Sequence, residues 1–324
     1  MRARRLACAA VLAALLGGTG CATRAPVLEP LAAAGLPGSV DLDGTPFHPQ
    51  ERYQCGPAAL ATVLAASGAA VTPEALVPEV YLPGRQGSLQ PELMASTRTH
   101  GRVPYVLPPT TDALFATVAD GVPVLLLQKL GAGPFPGWHY AVLVGYDAGQ
   151  EIVLLRSGTT RRKAMSERHF LATWDRGGRW AMIALRPGDL PPVPDFASYM
   201  TAAAGLEAVG RAEDARLAYE AAAREWPGRA LPELALANLA YARGDLAGAE
   251  RGFNAAARLD PADAAARNNR AEVLRQMGCA TAARRETERA QALAAGGPLE
   301  ASVAATARQV AAMPPGDAPG CPVD

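Results

Sequence analysis

From residue 210 onward the same chemistry returns every 34 residues, and this period constrains the last third of the chain more than any other feature. Gly210, Ala215, Tyr219, Ala222 and Pro227 recur as Gly244, Ala249, Phe253, Ala256 and Pro261. Three of the five recur again as Gly278, Ala283 and Ala290. The alanines permit close helix approach, the glycine ends the first helix of each pair, and the proline breaks the second. Thr287 and Ala295 replace the aromatic and the proline in the third copy, as suits a terminal repeat. Pro298 to Met313 is expected to add a capping helix, and the Pro/Gly-rich end, 314–324, to be disordered.

Ahead of the repeats the chain divides by punctuation. Residues 1–21 read as a targeting segment: Arg2, Arg4 and Arg5 form a basic region, Leu6 to Leu16 an apolar one too short to span a bilayer. Gly18-Thr19-Gly20-Cys21 resembles the lipobox of bacterial lipoproteins. That resemblance implies lipidation of Cys21 and, with Ala22 following, release to the periplasmic face of the outer membrane. Residues 22–44, rich in Pro, Ala and Gly, read as a flexible tether, and 186–196 as a Pro-rich linker. A mixed unit, 45–185, and a helical unit, 197–313, lie on either side of that linker. The chain carries 31 basic residues, three of them in the leader, against 31 acidic ones. Such a balance carries no nucleic-acid signature.

In the mixed unit, helix signals come first and strand signals afterwards, an α+β arrangement. Thr72-Pro73 and Ser88 open helices, the second closing at Gly101, and Thr111 to Ala119 forms another short one. Strands are expected at 122–129, 139–146, 151–155, 162–165 and 180–185, with a helix from Ser166 to Trp174. Cys55 stands where an irregular polar segment turns into an alanine-rich helical pattern, with Gly56 and Pro57 next. At a helix N-terminus partial positive charge favours the thiolate. His139 begins the apolar strand His-Tyr-Ala-Val-Leu-Val-Gly-Tyr, far along the chain. A cysteine at a helix start with a distant histidine on a strand is how papain-like enzymes build a thiolate–imidazolium pair. Among the other histidines, His48 is a weaker candidate base, His100 suits a helix C-terminus, and His169 suits a helix surface. No histidines or cysteines have metal-ligand spacing and no phosphate-binding loop occurs, so neither metal nor cofactor is expected.

Gln50, four residues, then Cys55-Gly56-Pro57-Ala58, together with Leu82-Pro83-Gly84, Gly87-Ser88-Leu89 and Trp138-His139-Tyr140 through Asp147, resembles the bacteriocin-processing, double-glycine peptidase family. The resemblance spans roughly residues 45–185. It implies a papain-like fold with Cys55 as nucleophile, His139 as general base and later general acid, and the Gln50 amide as oxyanion donor. Gln54 is the competing donor. The family's third member is an aspartate, and here Ser157 occupies its place, able to orient the imidazole but without charge. Asp147 is about 26 Å of strand away from His139 and a poor substitute, while Asp175 stays open. The 34-residue period resembles the tetratricopeptide repeat, which implies a curved solenoid whose groove binds a polypeptide substrate or protein partner.

The expected molecule is an α+β papain-like domain followed by an all-α tetratricopeptide-repeat solenoid. Its expected function is that of an exported, lipid-anchored cysteine peptidase. Two other readings use the same residues: an amide acyltransferase, and a binding or assembly lipoprotein whose papain-like domain has lost turnover. Cys279 and Cys321, the remaining thiols of the mature chain, could pair and hold the tail down.

Overall fold

Capping residues and the alternation of apolar side chains turn, in the computed structural model of the chain, into an antiparallel sheet with flanking helices and then a run of paired helices. The structure describes residues 27–50, 54–131 and 137–322. The expected leader, with Cys21, lies outside them. Among the described residues no helix is long and apolar enough to cross a membrane.

The chain enters through α1 (Leu28–Ala33) and β1 (Ser39–Asp41). There follow α2 (Cys55–Ala66), α3 (Pro73–Val80), α4 (Gln90–Thr99), β2 (Val103–Val106) and α5 (Thr111–Ala119). Thr72 caps α3 by accepting from the Ala75 N–H, and Thr110 caps α5 by accepting from Ala113. Ser88, expected to cap α4, does not. Leu89 holds the N-cap position, and the Ser88 side chain packs against Gly56 of α2 instead. Next come β3 (Val124–Leu130), β4 (Gly137–Asp147), β5 (Ile152–Ser157), β6 (Thr160–Ser166), α6 (Glu167–Arg176) and β7 (Ala181–Leu185).

The strands form one sheet in the order β2-β7-β3-β4-β5-β6, every neighbour antiparallel, with β1 beside the end of β4. Side chains alternate between two cores, as pleating requires. Tyr140, Val142 and Val144 of β4 face α2, with Leu60 and Leu64. Ala141 and Leu143 face the opposite core, with Phe115 of α5 and Phe170 of α6. Gly145 has a distinct task, because a Cβ there would run into the Val40 carbonyl of β1.

The expected flexible tether is, from Val27 onward, part of the fold. The buried Glu167 carboxylate accepts from the backbone N–H of Val27 (2.6 Å) and Leu28 (3.3 Å), and Leu28 is fully buried. Arg156, also buried, donates to the carbonyls of Thr45 and Asp43 at 3.1 and 2.8 Å. These partners lie more than a hundred residues apart in sequence, so composition alone could not reveal them.

The helical unit comprises α7 (Phe196–Ala208), α8 (Ala212–Glu225), α9 (Ala230–Ala242), α10 (Leu246–Leu259), α11 (Ala264–Gln276), α12 (Ala280–Ala294) and α13 (Glu300–Ala311). First helices begin at 196, 230 and 264 and second helices at 212, 246 and 280, so the 34-residue period is the period of the structure. Gly210, Gly244 and Gly278 end the first helices with φ of 77°, 77° and 80°, a conformation that favours glycine. Tyr219, Phe253 and Thr287 are all buried at the recurring aromatic position.

The Pro-rich stretch before this unit is pinned to the sheet: the Tyr105 hydroxyl of β2 donates to the Val193 carbonyl and accepts from the Asp195 N–H, at 3.1 and 2.9 Å. One continuous core joins Tyr105 and Ile183 of the sheet to Tyr199 and Leu206 of α7 and Tyr219 of α8. The C-terminal end, expected to be disordered, is folded as far as it is described. Cys321 is bonded to Cys279, and the Asp317 carboxylate accepts from the Thr281 N–H (2.8 Å) in the first turn of α12. Side-chain capping from a segment 36 residues away has no local signature.

Candidate active site

Each expected site residue sits at the end of an element. Cys55 is the first residue of α2, because Gln54 before it has left helical geometry and Pro57 suits the first turn. His139 lies near the start of β4 and Ser157 at the end of β5, its antiparallel neighbour. Gln50 precedes α2 in an irregular segment.

A chain of contacts runs through these ends. The Gln50 backbone N–H donates to the Gly158 carbonyl, and the Gly158 N–H donates back to Gln50 Oε1, both at 3.0 Å. The loop ahead of Cys55 is thereby fastened to the turn after Ser157. Ser157 Oγ lies 2.9 Å from His139 Nε2, and Ser157 is buried. Beside His139 in sequence, the Tyr140 backbone N–H lies near enough to the Cys55 thiol to favour its charged form. Thiol, imidazole, hydroxyl and amide are thus held at one corner of the sheet. With Oε1 of Gln50 occupied by Gly158, its side-chain NH2 is the end left to donate.

Electrostatics departs from the expected ion pair. Burial pushes the Cys55 thiol pKa up, only partly offset by hydrogen bonds from the Tyr140, Gly56 and Cys55 backbone. Desolvation outweighs the helix N-terminus here. Burial, reinforced by the Lys163 cation on β6, holds the His139 imidazole down at about 4. Both shifts favour the uncharged forms, thiol and neutral imidazole, over a thiolate and an imidazolium.

The alternatives separate cleanly. Asp175 is paired with Arg179 at 2.6 Å, and Asp147 accepts from Gln150. His100 stands at the end of α4, as expected, and faces Glu79 at 3.1 Å. His169 is exposed on α6. His48 has its Nε2 buried without a partner among the described residues, and burial lowers its pKa. Two neighbours of the thiol carried no sequence signal as site residues. Tyr140 faces α2, and its hydroxyl donates to the Ser88 carbonyl (3.4 Å). Glu92 is close enough to Tyr140 that its charge, after burial and the thiol, raises the phenol pKa.

Residues 42–182 match the model of the Peptidase_C39 like family, a span that runs from α2 to the start of β7 and leaves α1, β1 and the helices from α7 onward outside. The first unit has the C39-like peptidase fold, and the second is all-α. None of the curated proteins matches the chain. Among solved structures, a putative C39-like peptidase from Bacillus anthracis is 18% identical, with 46% of this chain and 98% of that one covered and a TM-score of 0.38. The Yersinia enterocolitica type III secretion chaperone SycD, in complex with a peptide of the translocator YopD, is 22% identical, with 36% and 91% covered and a TM-score of 0.34.

Proposed function

Starting from a Peptidase_C39-like domain over residues 42–182, we propose that the protein hydrolyses peptide bonds through Cys55 and His139. The observation that carries this reading is the set of contacts fastening Gln50 to Gly158 and His139 to Ser157, with the Tyr140 N–H beside His139 near the thiol. With Nε2 protonated and donating to Ser157 Oγ, Nδ1 of His139 is left to take the thiol proton as sulfur attacks the carbonyl carbon. The developing oxyanion is met by the Cys55 backbone N–H and the free amide of Gln50. His139 then returns the proton to the departing amine, the C–N bond breaks, and a thioester remains. Water, deprotonated by the same imidazole, releases the acid and restores the thiol.

Cys21 is the lipid-anchor position in this proposal, placing the enzyme at the periplasmic face of the outer membrane. The helical unit acts as a tetratricopeptide-type solenoid that recruits the polypeptide substrate or a protein partner. A second reading, a binding lipoprotein of low turnover, is supported by the neutral Ser157 and the cationic Lys163 near His139, where a carboxylate would favour imidazolium.

The deciding experiment compares whole cells carrying the wild type or Cys55→Ala and maps protein N-termini. New termini that vanish with Cys55→Ala are expected. Identical terminal profiles, with both proteins present at equal level, would remove the peptidase reading in favour of the binding one.

A further inference from the structure

His139 and Tyr140 are consecutive in β4, so their side chains leave the sheet on opposite faces. His139 meets Ser157, while Tyr140 packs with α2. Around Tyr140 the thiol has a second set of neighbours that the hydrolytic steps do not use. The Ser88 hydroxyl lies so close to Gly56, the residue after the nucleophile, that a Cβ at 56 would overlap it. Tyr140 links this serine to the site through its hydroxyl, which donates to the Ser88 carbonyl. Glu92, in the first turn of α4, is near enough for its charge to act on the same hydroxyl.

Ser88 Oγ and Glu92 Oε2 are buried atoms of half-buried side chains and have no hydrogen-bond partner among the described residues. Among the described residues Glu92 makes no ion pair. A buried acceptor without a donor is unfavourable, and a buried carboxylate oxygen more so, unless a ligand completes it.

We propose that Ser88 and Glu92 form a substrate subsite that reads a basic side chain, lysine or arginine, next to the scissile bond. This rests on the peptidase reading of Cys55 and adds the class of side chain it selects. The ammonium or guanidinium donates to Glu92 Oε2 and Ser88 Oγ, and the stem lies along the Tyr140 ring. An acidic side chain at that position meets a like charge and is rejected.

The test uses the full-length protein and peptidyl chloromethyl ketones identical except for lysine, norleucine or glutamate at the two residues nearest the electrophile. Alkylation of Cys55 is followed by mass spectrometry. At the position that docks here, the lysine probe is expected to react at least ~10-fold faster than the glutamate probe, as for a charge-assisted contact. Glu92→Gln is expected to collapse that ratio, and Ser88→Ala to reduce it. Ratios taken within each variant cancel any general change in thiol reactivity. An equal ratio in wild type and Glu92→Gln, or no preference for lysine at either position, would overturn the subsite. Intact probe selectivity without hydrolysis of the matching lysine peptide supports the subsite and removes only the peptidase reading.

Discussion

In the repeats, Arg270, Glu250 and Glu286 are buried together and joined by ion pairs of 2.8 and 3.1 Å, with Arg267 and Arg289 also on Glu286. Beside Cys55, the Ser88 hydroxyl oxygen and one Glu92 carboxylate oxygen are buried atoms with no hydrogen-bond partner among the described residues. One set of polar groups is completed within the chain, as a scaffold requires; the other is left open, as a binding site requires. Asn268 Oδ1 has no partner among the described residues of the repeats, so the contrast is between the Arg270 network and the groups beside Cys55 and does not extend to every polar atom.

The comparison can be broken from either side. The largest effect is expected from Glu286→Ala, which takes one of two carboxylates from the buried Arg270 and should lower stability by about 3 kcal/mol in denaturant unfolding. A loss below about 1 kcal/mol would mean that the network is solvated and only decorative. Next, His139→Ala should reduce peptide turnover at least ~100-fold, and full activity on a defined peptide would remove its role as base. Gly56→Ala drives a methyl into Ser88 and should cost roughly 1–3 kcal/mol, recovered in part by adding Ser88→Gly; thermal melts of the two variants decide this.

A pH profile probes the imidazole itself. His139 acts as base only when neutral, and its pKa is held at about 4, so kcat/KM should persist through mildly acidic pH and fall only near that value. Ser157→Ala should lose roughly tenfold, less than His139→Ala, by releasing the ring orientation. Ser157→Asp supplies a charge that favours imidazolium and should move the acid limb to higher pH. An acid limb already near 6.5 in the wild type would show that burial is relieved during turnover. The smallest effect belongs to Asp317→Ala, about 1 kcal/mol, seen as faster amide exchange in the first turn of α12.

How much of this was legible in the sequence depends on the range of the interactions. The repeat period, the β4 strand with its leading histidine and the helix start at Cys55 are local patterns, and each reappears within a few residues of its expected place. Ser157 was legible through resemblance, and it does lie on His139. What escaped were contacts made across the fold: Glu167 on Val27, Asp317 on Thr281, Ser88 on Gly56. Ser88 was misread for a physical reason. A serine just before a helix is the usual cap, yet here the approach of α2 claims its hydroxyl side. The protonation of Cys55 escaped as well, since helix position is readable in a sequence and desolvation is not.

The core that runs from the sheet into α7 and α8 also fixes where the molecule can be cut. Removing everything after the Pro-rich stretch would strip Tyr199, Leu206 and Tyr219 from the apolar face they share with Tyr105 and Ile183, leaving a large hydrophobic surface in water. Loss of activity on such truncation would therefore report a damaged sheet rather than a missing substrate reader. Cooperativity should follow the same seam: melting of α7 and α8 together with the sheet, while the outer helix pairs, touching only their neighbours, open on their own.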